Sequence, residues 1–260
     1  MTNLIATDNY TYVDWKTKFT NKVDLSTIKY DKSWEDLFQR HKEKKYFKEI
    51  ENYLTGKLNK NIFPYPDLLF NCFQITPLEN VKVVIIGQDP YFNAEKHNGK
   101  IIPEAMGLSF SVPVGIKIPS SLKNVYANLL KFKHIDQIPQ HGNLTSWANQ
   151  GCLLYNCAST VEQKDANSHQ KIWEDFADKT IRYLNKNKDD LVFILWGSFA
   201  SKKAKYIEED KHKIIICSHP SGLSCSNKLG DHSCFKDCDW ANEANLFLKN
   251  HNKEPIVWKI

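Results

Sequence analysis

Short apolar runs separated by longer amphipathic stretches dominate the middle of this chain. In the first, Val81 to Ile86, five of six residues are apolar, and Gly87 and Pro90 break the pattern directly afterwards. Because a strand covered on both faces shows no alternation, this run predicts a strand inside a sheet. Three similar runs follow it: Cys152 to Tyr155, Leu191 to Leu195 and Lys213 to Cys217.

Helical periodicity separates these runs. Before the third run, one helical face carries Ile172, Trp173, Phe176, Ile181 and Leu184. The alternation predicts a single-domain α/β fold, a central four-stranded parallel sheet flanked by helices on both faces. The carboxyl ends of the four strands should then share one edge, where open α/β sheets bind ligands.

Two helices are predicted before the first strand. Ser33 with Asp36 resembles a capping box, and the helical face that follows is Trp34, Leu37, Phe38 and His41. The second helix carries the stripe Phe47, Ile50, Tyr53, Leu54 and Leu58. Residues 1–30 show little periodicity, so we expect an N-terminal arm, packed through Tyr10, Tyr12 and Trp15, before a domain over residues 31–260.

Composition narrows the class of protein. A chain of 260 residues with 42% hydrophobic content can bury a large core, and its longest apolar runs are far too short to span a bilayer. The seven cysteines are odd in number and have no CxxC spacing, which favours reduced thiols inside a cell. The net charge of +5 is compatible with a polyanionic partner but also with an ordinary lysine-rich surface.

Polar residues follow each predicted strand. The four runs end at Gln88 and Asp89, at Asn156, at Gly197 and Ser198, and at Ser218 and His219. A carboxylate, an amide, a hydroxyl and an imidazole on one edge could form an active site. Polar residues also follow strands in most α/β proteins, so this pattern alone fits ordinary loops equally well.

Several specific motifs occur in order: GQDPY at 87–91, GLSFSV at 107–112, LLYN at 153–156, LWGS at 195–198 and HPSGLS at 219–224. Together they resemble family 1 uracil-DNA glycosylases. The similarity runs from about Trp34 to Trp258 and includes DANSH at 165–169 and PIVW at 255–258.

The resemblance implies hydrolysis of the bond between uracil and deoxyribose, which leaves an abasic site and begins base excision repair. It implies no metal or cofactor, a monomer, and a partner that is single- or double-stranded DNA containing uracil rather than a membrane. We expect an intracellular protein, in the nucleus or wherever DNA is replicated, with the N-terminal arm available to replication or repair partners.

By the same resemblance, Asp89 positions the water and stabilises the cationic sugar, while neutral His219 donates a hydrogen bond to uracil O2. Gln88 belongs to the base pocket, Asn156 reads the uracil edge, Tyr91 excludes the methyl group of thymine, and Phe110 stacks on the base. The residues expected to contact DNA are Ser121, Gly197, Ser198 and Ser221, which grip phosphates, and Leu223, which fills the vacated stack.

The sequence also departs from the family pattern. Phe92 stands where the family usually has histidine, and the proline-rich loop before Ser121 is reduced to Pro119. No arginine lies beside Leu223, and the stretch 225–238 is about six residues longer than usual, so DNA contacts there cannot be transferred from the family.

Three alternatives remain open from the sequence. The first is a zinc or iron–sulfur site formed from Cys217, His219, Cys225, His232, Cys234 and Cys238, although their spacing fits no compact template. The second is a non-enzymatic DNA-binding subunit, against which the intact Asp89, Asn156 and His219 argue. The third is a phosphoryl or nucleotide hydrolase, whose usual motifs are missing.

Overall fold

The fold follows from where the chain forms helices and strands, which a computed structural model describes for residues 4–260. The helices are α1 Trp15–Lys18, α2 Glu35–Lys42, α3 Lys45–Thr55, α4 Asn71–Ile75, α5 Ser120–Lys131, α6 Thr145–Asn149, α7 Gln170–Asn187, α8 Gly197–Ser201 and α9 Trp240–Asn250. The strands are β1 Ile62–Phe63, β2 Val83–Gly87, β3 Ala94–His97, β4 Lys100–Pro103, β5 Cys152–Asn156, β6 Val161–Glu162, β7 Val192–Trp196 and β8 Lys213–Cys217.

Four of these strands form the predicted central sheet, in the order β5-β2-β7-β8. Every neighbouring pair is parallel, and the register places Gly87 opposite Asn156 and Trp196 opposite Cys217. The carboxyl ends of all four strands therefore lie at one edge, as the sequence predicted. All residues of β2 and β7 are buried, because helices cover both faces of the sheet.

The N-terminal residues pack against the same core as the sheet. Trp15 is 1% exposed, and its indole N–H donates to the carbonyl of Pro64 at 2.9 Å. Val23 and Leu25 are buried in the same hydrophobic cluster. Tyr10 and Tyr12 are only partly buried and pack edge to face, with 4.9 Å between ring centres. The apolar side chains of this segment therefore contribute to the main core.

Two details of the predicted helices are wrong. The residue that caps the turn before α2 is Asp31, whose side chain accepts from the backbone N–H of Ser33, whereas Ser33 Oγ accepts from the backbone N–H of Leu78. Ser33 is thus not the first residue of a capping box, because its hydroxyl bonds to a distant segment. The second helix, α3, ends at Thr55, so Leu58 packs from the turn that follows.

Within residues 4–260, no helix combines the length and apolar character needed to cross a membrane. All seven cysteines are buried, and none forms a disulfide. Cys217 and Cys238 hydrogen-bond to each other, while Cys234 Sγ donates to Asp237 at 3.1 Å. In the same described part of the chain, no three His, Cys, Asp or Glu residues converge as metal ligands. The alternative of a metal site thus has no ligand set there.

Candidate active site

A cavity of about 250 Å³ opens at the carboxyl edge of the sheet. It lies beside β2, between that strand and the loops after β5 and β8, where a parallel sheet offers room for a ligand. The residues that line it are Gly87, Gln88, Asp89, Pro90, Tyr91, Phe92, Ala105, Met106, Gly107, Leu108, Phe110, Ser121, Asn156 and His219. The structure thus brings together seven residues that the sequence singled out: Gln88, Asp89, Tyr91, Phe110, Ser121, Asn156 and His219.

Asp89 is held by a residue far away in the sequence. Its Oδ2 accepts from the backbone N–H of Asn167 at 2.8 Å, and Gln88 donates from its side chain to Asn167 Oδ1. Burial raises the pKa of the Asp89 carboxyl above its ordinary value, although the bond from Asn167 opposes this shift. The carboxylate is therefore fixed through one oxygen and less well solvated than a surface aspartate.

Asn167 is a site residue that the sequence did not single out. Its φ of 63° lies in the left-handed region, which asparagine tolerates better than most residues and which helps turn its N–H toward Asp89. The available signal was its place within DANSH, the segment just before α7. Nothing in that motif alone indicated which side chain it would support.

His219 is held as one particular neutral tautomer. Its Nδ1 accepts from the backbone N–H of Ser221 at 3.0 Å, so a neutral ring carries its proton on Nε2. Burial lowers the pKa of His219 below its ordinary value, which keeps the ring neutral at pH 7. The imidazole is therefore ready to donate one hydrogen bond from Nε2.

Gly197 packs directly against the His219 side chain. The glycine is buried with φ +86°, and a Cβ added there would lie 2.8 Å from the Cβ of His219. Only glycine combines this backbone conformation with this approach. The sequence connected Gly197 with DNA, and the close approach shows in addition that a side chain at position 197 would displace the imidazole.

Asn156 lies over the end of the neighbouring strand. A Cβ built on Gly87 would come within 2.0 Å of Asn156 Oδ1 and 2.9 Å of Ser109 Cβ, so glycine at 87 makes room for the amide. Within residues 4–260 the Asn156 side chain makes no hydrogen bond to protein, while the Ser109 hydroxyl donates to the carbonyl of Ile85 at 3.2 Å. The amide is thus half-buried and available to a ligand.

Two aromatic rings complete the cavity. Phe110 has a φ of 62°, unusual for a bulky residue, and its ring lies 5.1 Å from the Trp196 ring and 5.9 Å from the His219 ring. The Tyr91 hydroxyl donates to the carbonyl of Phe110 at 3.4 Å, a long hydrogen bond. The backbone strain at Phe110 is consistent with a ring held for a ligand rather than for the core alone.

The remaining predicted residues lie outside the cavity. Ser198 is exposed at the start of α8, and Ser221 is half-buried in the loop that follows His219. Leu223 is 91% exposed, the highest value among the exposed large apolar side chains of residues 4–260. Its loop is nevertheless ordered, because the backbone N–H groups of Ser224 and Cys225 both donate to the carbonyl of Ser221.

The long segment 225–238 is anchored under this loop. Ser218 Oγ accepts from the backbone N–H of Phe235 at 2.8 Å and donates to the carbonyl of Ser224 at 3.0 Å. Asn128 on α5 donates to the carbonyls of Phe235 and Cys238. This segment thus helps to hold the strand end that precedes His219.

Comparison with known proteins shows the family of this chain. Residues 73–249 match the family model described as the uracil DNA glycosylase superfamily. A probable uracil-DNA glycosylase of Acanthamoeba polyphaga mimivirus is 39% identical over 271 residues, covering 99% of this chain and 72% of that protein. A uracil-DNA glycosylase of Helicobacter hepaticus is 43% identical over 240 residues, covering 91% and 98%.

A solved structure extends the similarity to three dimensions. The crystal structure of mimivirus uracil-DNA glycosylase superposes with a TM-score of 0.94 at 39% identity, covering 99% of this chain and 97% of that one. A variant of the mimivirus enzyme has also been solved in complex with UGI, with the same TM-score. The extent of these matches shows that the chain belongs to the uracil DNA glycosylase superfamily.

Proposed function

We propose that this chain hydrolyses the N-glycosidic bond of uracil in DNA, releasing free uracil and leaving an abasic site for base excision repair. The observation that carries the proposal is that Asp89, after β2, and His219, after β8, line one cavity together with Asn156. Breaking this bond develops positive charge on the sugar and negative charge on the base, so the reaction benefits from a separate anion and donor.

In the proposed mechanism, Asp89 acts on the sugar side. One carboxylate oxygen accepts from the Asn167 N–H, which leaves acceptor capacity for a water molecule near the anomeric carbon. The negative charge stabilises the oxocarbenium-like sugar that forms as uracil departs with the bonding electron pair. The same water then attacks the sugar and gives its proton to the carboxylate. Partial desolvation strengthens this interaction, because the carboxylate is less screened than it would be in bulk water.

His219 acts on the base side. With Nδ1 occupied by the Ser221 N–H, the neutral ring donates its Nε2 proton in a hydrogen bond to uracil O2, where negative charge accumulates. A neutral donor stabilises this anion without transferring a full proton to it. The bond to Ser221 would be lost if Nδ1 were protonated, which further favours the neutral form.

The proposal assigns base selection to the rest of the cavity. Asn156 would accept from uracil N3–H and donate to O4, a pattern that cytosine reverses, and a buried mismatched pair costs about 1 to 3 kcal/mol per group. Tyr91 would occupy the space needed by the 5-methyl group of thymine, and Phe110 would stack on the flipped base. Gln88 would complete the pocket beside Asp89.

The proposal places DNA along the mouth of this cavity. Ser121, Ser198 and Ser221, with the backbone at Gly197, would bind successive phosphates through hydroxyl and N–H groups. Leu223 would enter the stack that the flipped uracil vacates, a role that suits its full exposure. Extruding a base costs a few kcal/mol, so this contact matters most in duplex DNA.

The test is release of uracil from a labelled oligonucleotide, detected as alkali cleavage at the uracil position in the presence of a chelator. We expect strand cleavage with the unaltered protein, and a loss of roughly 10²-fold or more for Asp89→Asn and for His219→Leu. Asp165→Asn is the matched control, since Asp165 is an exposed carboxylate in the neighbouring DANSH segment. Unchanged rates in both active-site variants would refute the mechanism, and binding without any cleavage would favour a non-enzymatic DNA-binding role.

The proposal includes how the protein works in the cell. We expect a monomer that acts where DNA is replicated, in the nucleus or in a host cytoplasm if the gene is viral. The N-terminal arm, residues 1–30, is proposed to bind replication or repair proteins while residues 31–260 carry the activity. Since Trp15 and Phe19 are buried, such a partner would bind the polar outer face of the arm. Sedimentation measurements and localisation of a tagged protein test these statements.

A further inference from the structure

A β-hairpin projects from the rim of the cavity. Strands β3 and β4 pair antiparallel, with Ala94 opposite Pro103 and His97 opposite Lys100. The chain enters the hairpin from Phe92 and leaves it toward Ala105 and Met106, and all three of these residues line the cavity. The hairpin is therefore continuous at both ends with the candidate active site.

The base of the hairpin is fixed to the protein. Ile102 is 1% exposed and packs with Val112 and Ile116 in a small separate core. The backbone N–H of Glu104 donates to the carbonyl of Asn93 at 3.1 Å, which closes the hairpin at its base. The Glu95 side chain accepts from the backbone N–H of Lys117 at 3.1 Å. These contacts set the direction in which the hairpin projects.

The tip contributes nothing to the core. Residues 96–101 are all exposed, and Ile101, opposite Lys96 in the register, is 41% exposed. Asn98 and Gly99 have φ values of 47° and 78°, the conformation of the tight turn that suits the twist of a hairpin. The tip is thus an ordered, short arm whose side chains pack in no core, and the Tyr65 hydroxyl donates to the carbonyl of Ile101 at 3.4 Å where the arm meets the protein.

The exposed tip of the arm, residues 96–101, carries two lysines and no acidic residue. Lys96 and Lys100 form no side-chain ion pair or hydrogen bond within the described chain, residues 4–260. The nearby acidic groups are Glu95, which is bonded to the Lys117 backbone, and Glu104, which is half-buried at the base. The four-residue strands give the arm a length of about 13 Å.

We propose that the 94–103 hairpin is an additional DNA-contacting arm, in which Lys96 and Lys100, on opposite faces of its tip, bind backbone phosphates a few nucleotides away from the extruded one. The inference rests on the proposed function, because DNA that delivers uracil to the cavity must pass its rim. An arm of about 13 Å spans a few nucleotides at 3.4 Å per phosphate along one strand. The exposed Ile101 beside Lys96 offers an apolar contact to the sugars.

The test compares Lys96→Ala/Lys100→Ala with the unaltered protein on two substrates, a long uracil-containing duplex and a uracil-containing trinucleotide. On the duplex at low salt we expect KM to rise roughly threefold to tenfold and kcat to change little. The slope of log(1/KM) against the logarithm of the salt concentration should become shallower by about 1 to 2, because two phosphate contacts are lost. On the trinucleotide, which lacks these more distant phosphates, kcat/KM should be unchanged.

The control is Lys45→Ala/Lys48→Ala, which removes the same charge from exposed positions on α3. If the control shifts KM and salt slope as much as the hairpin variant, the effect is one of net charge and the inference is wrong. Equal KM and salt slope for hairpin variant and unaltered protein on the duplex would also overturn it. Should the unaltered protein release no uracil from either substrate, it is the proposed function that fails.

Discussion

The backbone N–H of Ser221 donates to Nδ1 of His219 at 3.0 Å, so the imidazole that lines the cavity has its remaining proton on Nε2. The residue that orients the ring lies only two positions further along the chain, in the same loop as Leu223. A loop expected to contact DNA therefore also sets the tautomer of the group expected to contact uracil.

The pH dependence of the reaction follows from two opposite pKa shifts. Burial raises the pKa of Asp89 above 3.8 and lowers the pKa of His219 below 6.5. Since Asp89 acts ionised and His219 acts neutral, both groups lose their active form on acidification, Asp89 at a higher pH than an ordinary aspartate and His219 at a lower pH than an ordinary histidine. We expect kcat to be level from neutral pH upward and to fall below it. In His219→Gln, kcat should still fall at acidic pH, but only through protonation of Asp89. A loss of rate at alkaline pH in the unaltered protein would contradict this assignment.

Asp89→Asn should abolish uracil release without lowering the stability of the fold. The raised pKa means that the folded protein holds the ionised carboxylate less favourably than the unfolded chain does, so stability is lost as pH rises through the folded pKa. The amide oxygen of Asn can still accept from the Asn167 N–H. We therefore expect Tm at pH 7 to be unchanged or higher, measured by thermal unfolding, while uracil release is lost. A markedly lower Tm would show that the carboxylate stabilises the fold.

Gly87→Ala should damage the site through Asn156. The added methyl group would lie 2.0 Å from Asn156 Oδ1, so the amide must move or the strand end must shift. We expect a destabilisation of about 1 to 3 kcal/mol in chemical unfolding and a weaker discrimination between uracil and cytosine. Gly56→Ala is the matched control, because a Cβ there meets only ordinary contacts at 3.5 Å and beyond. If the two variants had the same free energy of unfolding and the same discrimination between bases, Gly87 would not be needed to position Asn156.

Asn156→Asp tests how the base is read. A carboxylate accepts but cannot donate to uracil O4 when ionised, whereas in its protonated form it can match the cytosine edge. We expect uracil release to fall by roughly 10²-fold, because the carboxylate leaves one buried mismatch at O4 and repels it. Cytosine release should become measurable. The measurement is alkali cleavage of matched oligonucleotides with uracil or cytosine at one position. Unchanged uracil release would mean that Asn156 does not read the base.

Leu223→Ala should affect duplex DNA and little else. Because Leu223 is 91% exposed, its truncation should change the free energy of unfolding by less than about 0.5 kcal/mol. Release of uracil from duplex DNA should fall several-fold, while release from single strands, where no stack has to be held open, should change less. An equal loss on both substrates would assign Leu223 to general DNA binding instead of the wedge.

Predictions from the sequence were most reliable for structure that is determined by residues close together in the chain. The apolar runs predicted the four strands of the sheet, although β8 at its edge is only partly buried, and the motif positions predicted which residues would meet at their carboxyl ends, since parallel strands share that edge. Predictions were less reliable for contacts over long sequence separations. Asp31, rather than Ser33, caps the turn before α2 because the Ser33 hydroxyl bonds to Leu78 instead.

The hairpin at 94–103 also escaped prediction. Asn98 and Gly99 are typical of a tight hairpin turn, but the flanking residues are mostly polar and exposed, so they show no alternation between a buried and an exposed face. Only two residues of the hairpin, Ile102 and Pro103, are buried. Hydrophobic periodicity in a sequence reflects burial of one face. A hairpin that projects into solvent buries little of either face, so the sequence pattern does not indicate it.

The sequence by itself determined the sheet, its active edge and the identity of the groups placed there, because apolar runs and short motifs are local properties of the chain. Tertiary structure decided how those groups are held. Asn167 reaches Asp89 across 78 positions, and the lack of a side chain at Gly197 makes room for His219. Such contacts depend on the path of the folded backbone, which brings together groups whose separation in the sequence gives no indication of their distance in space.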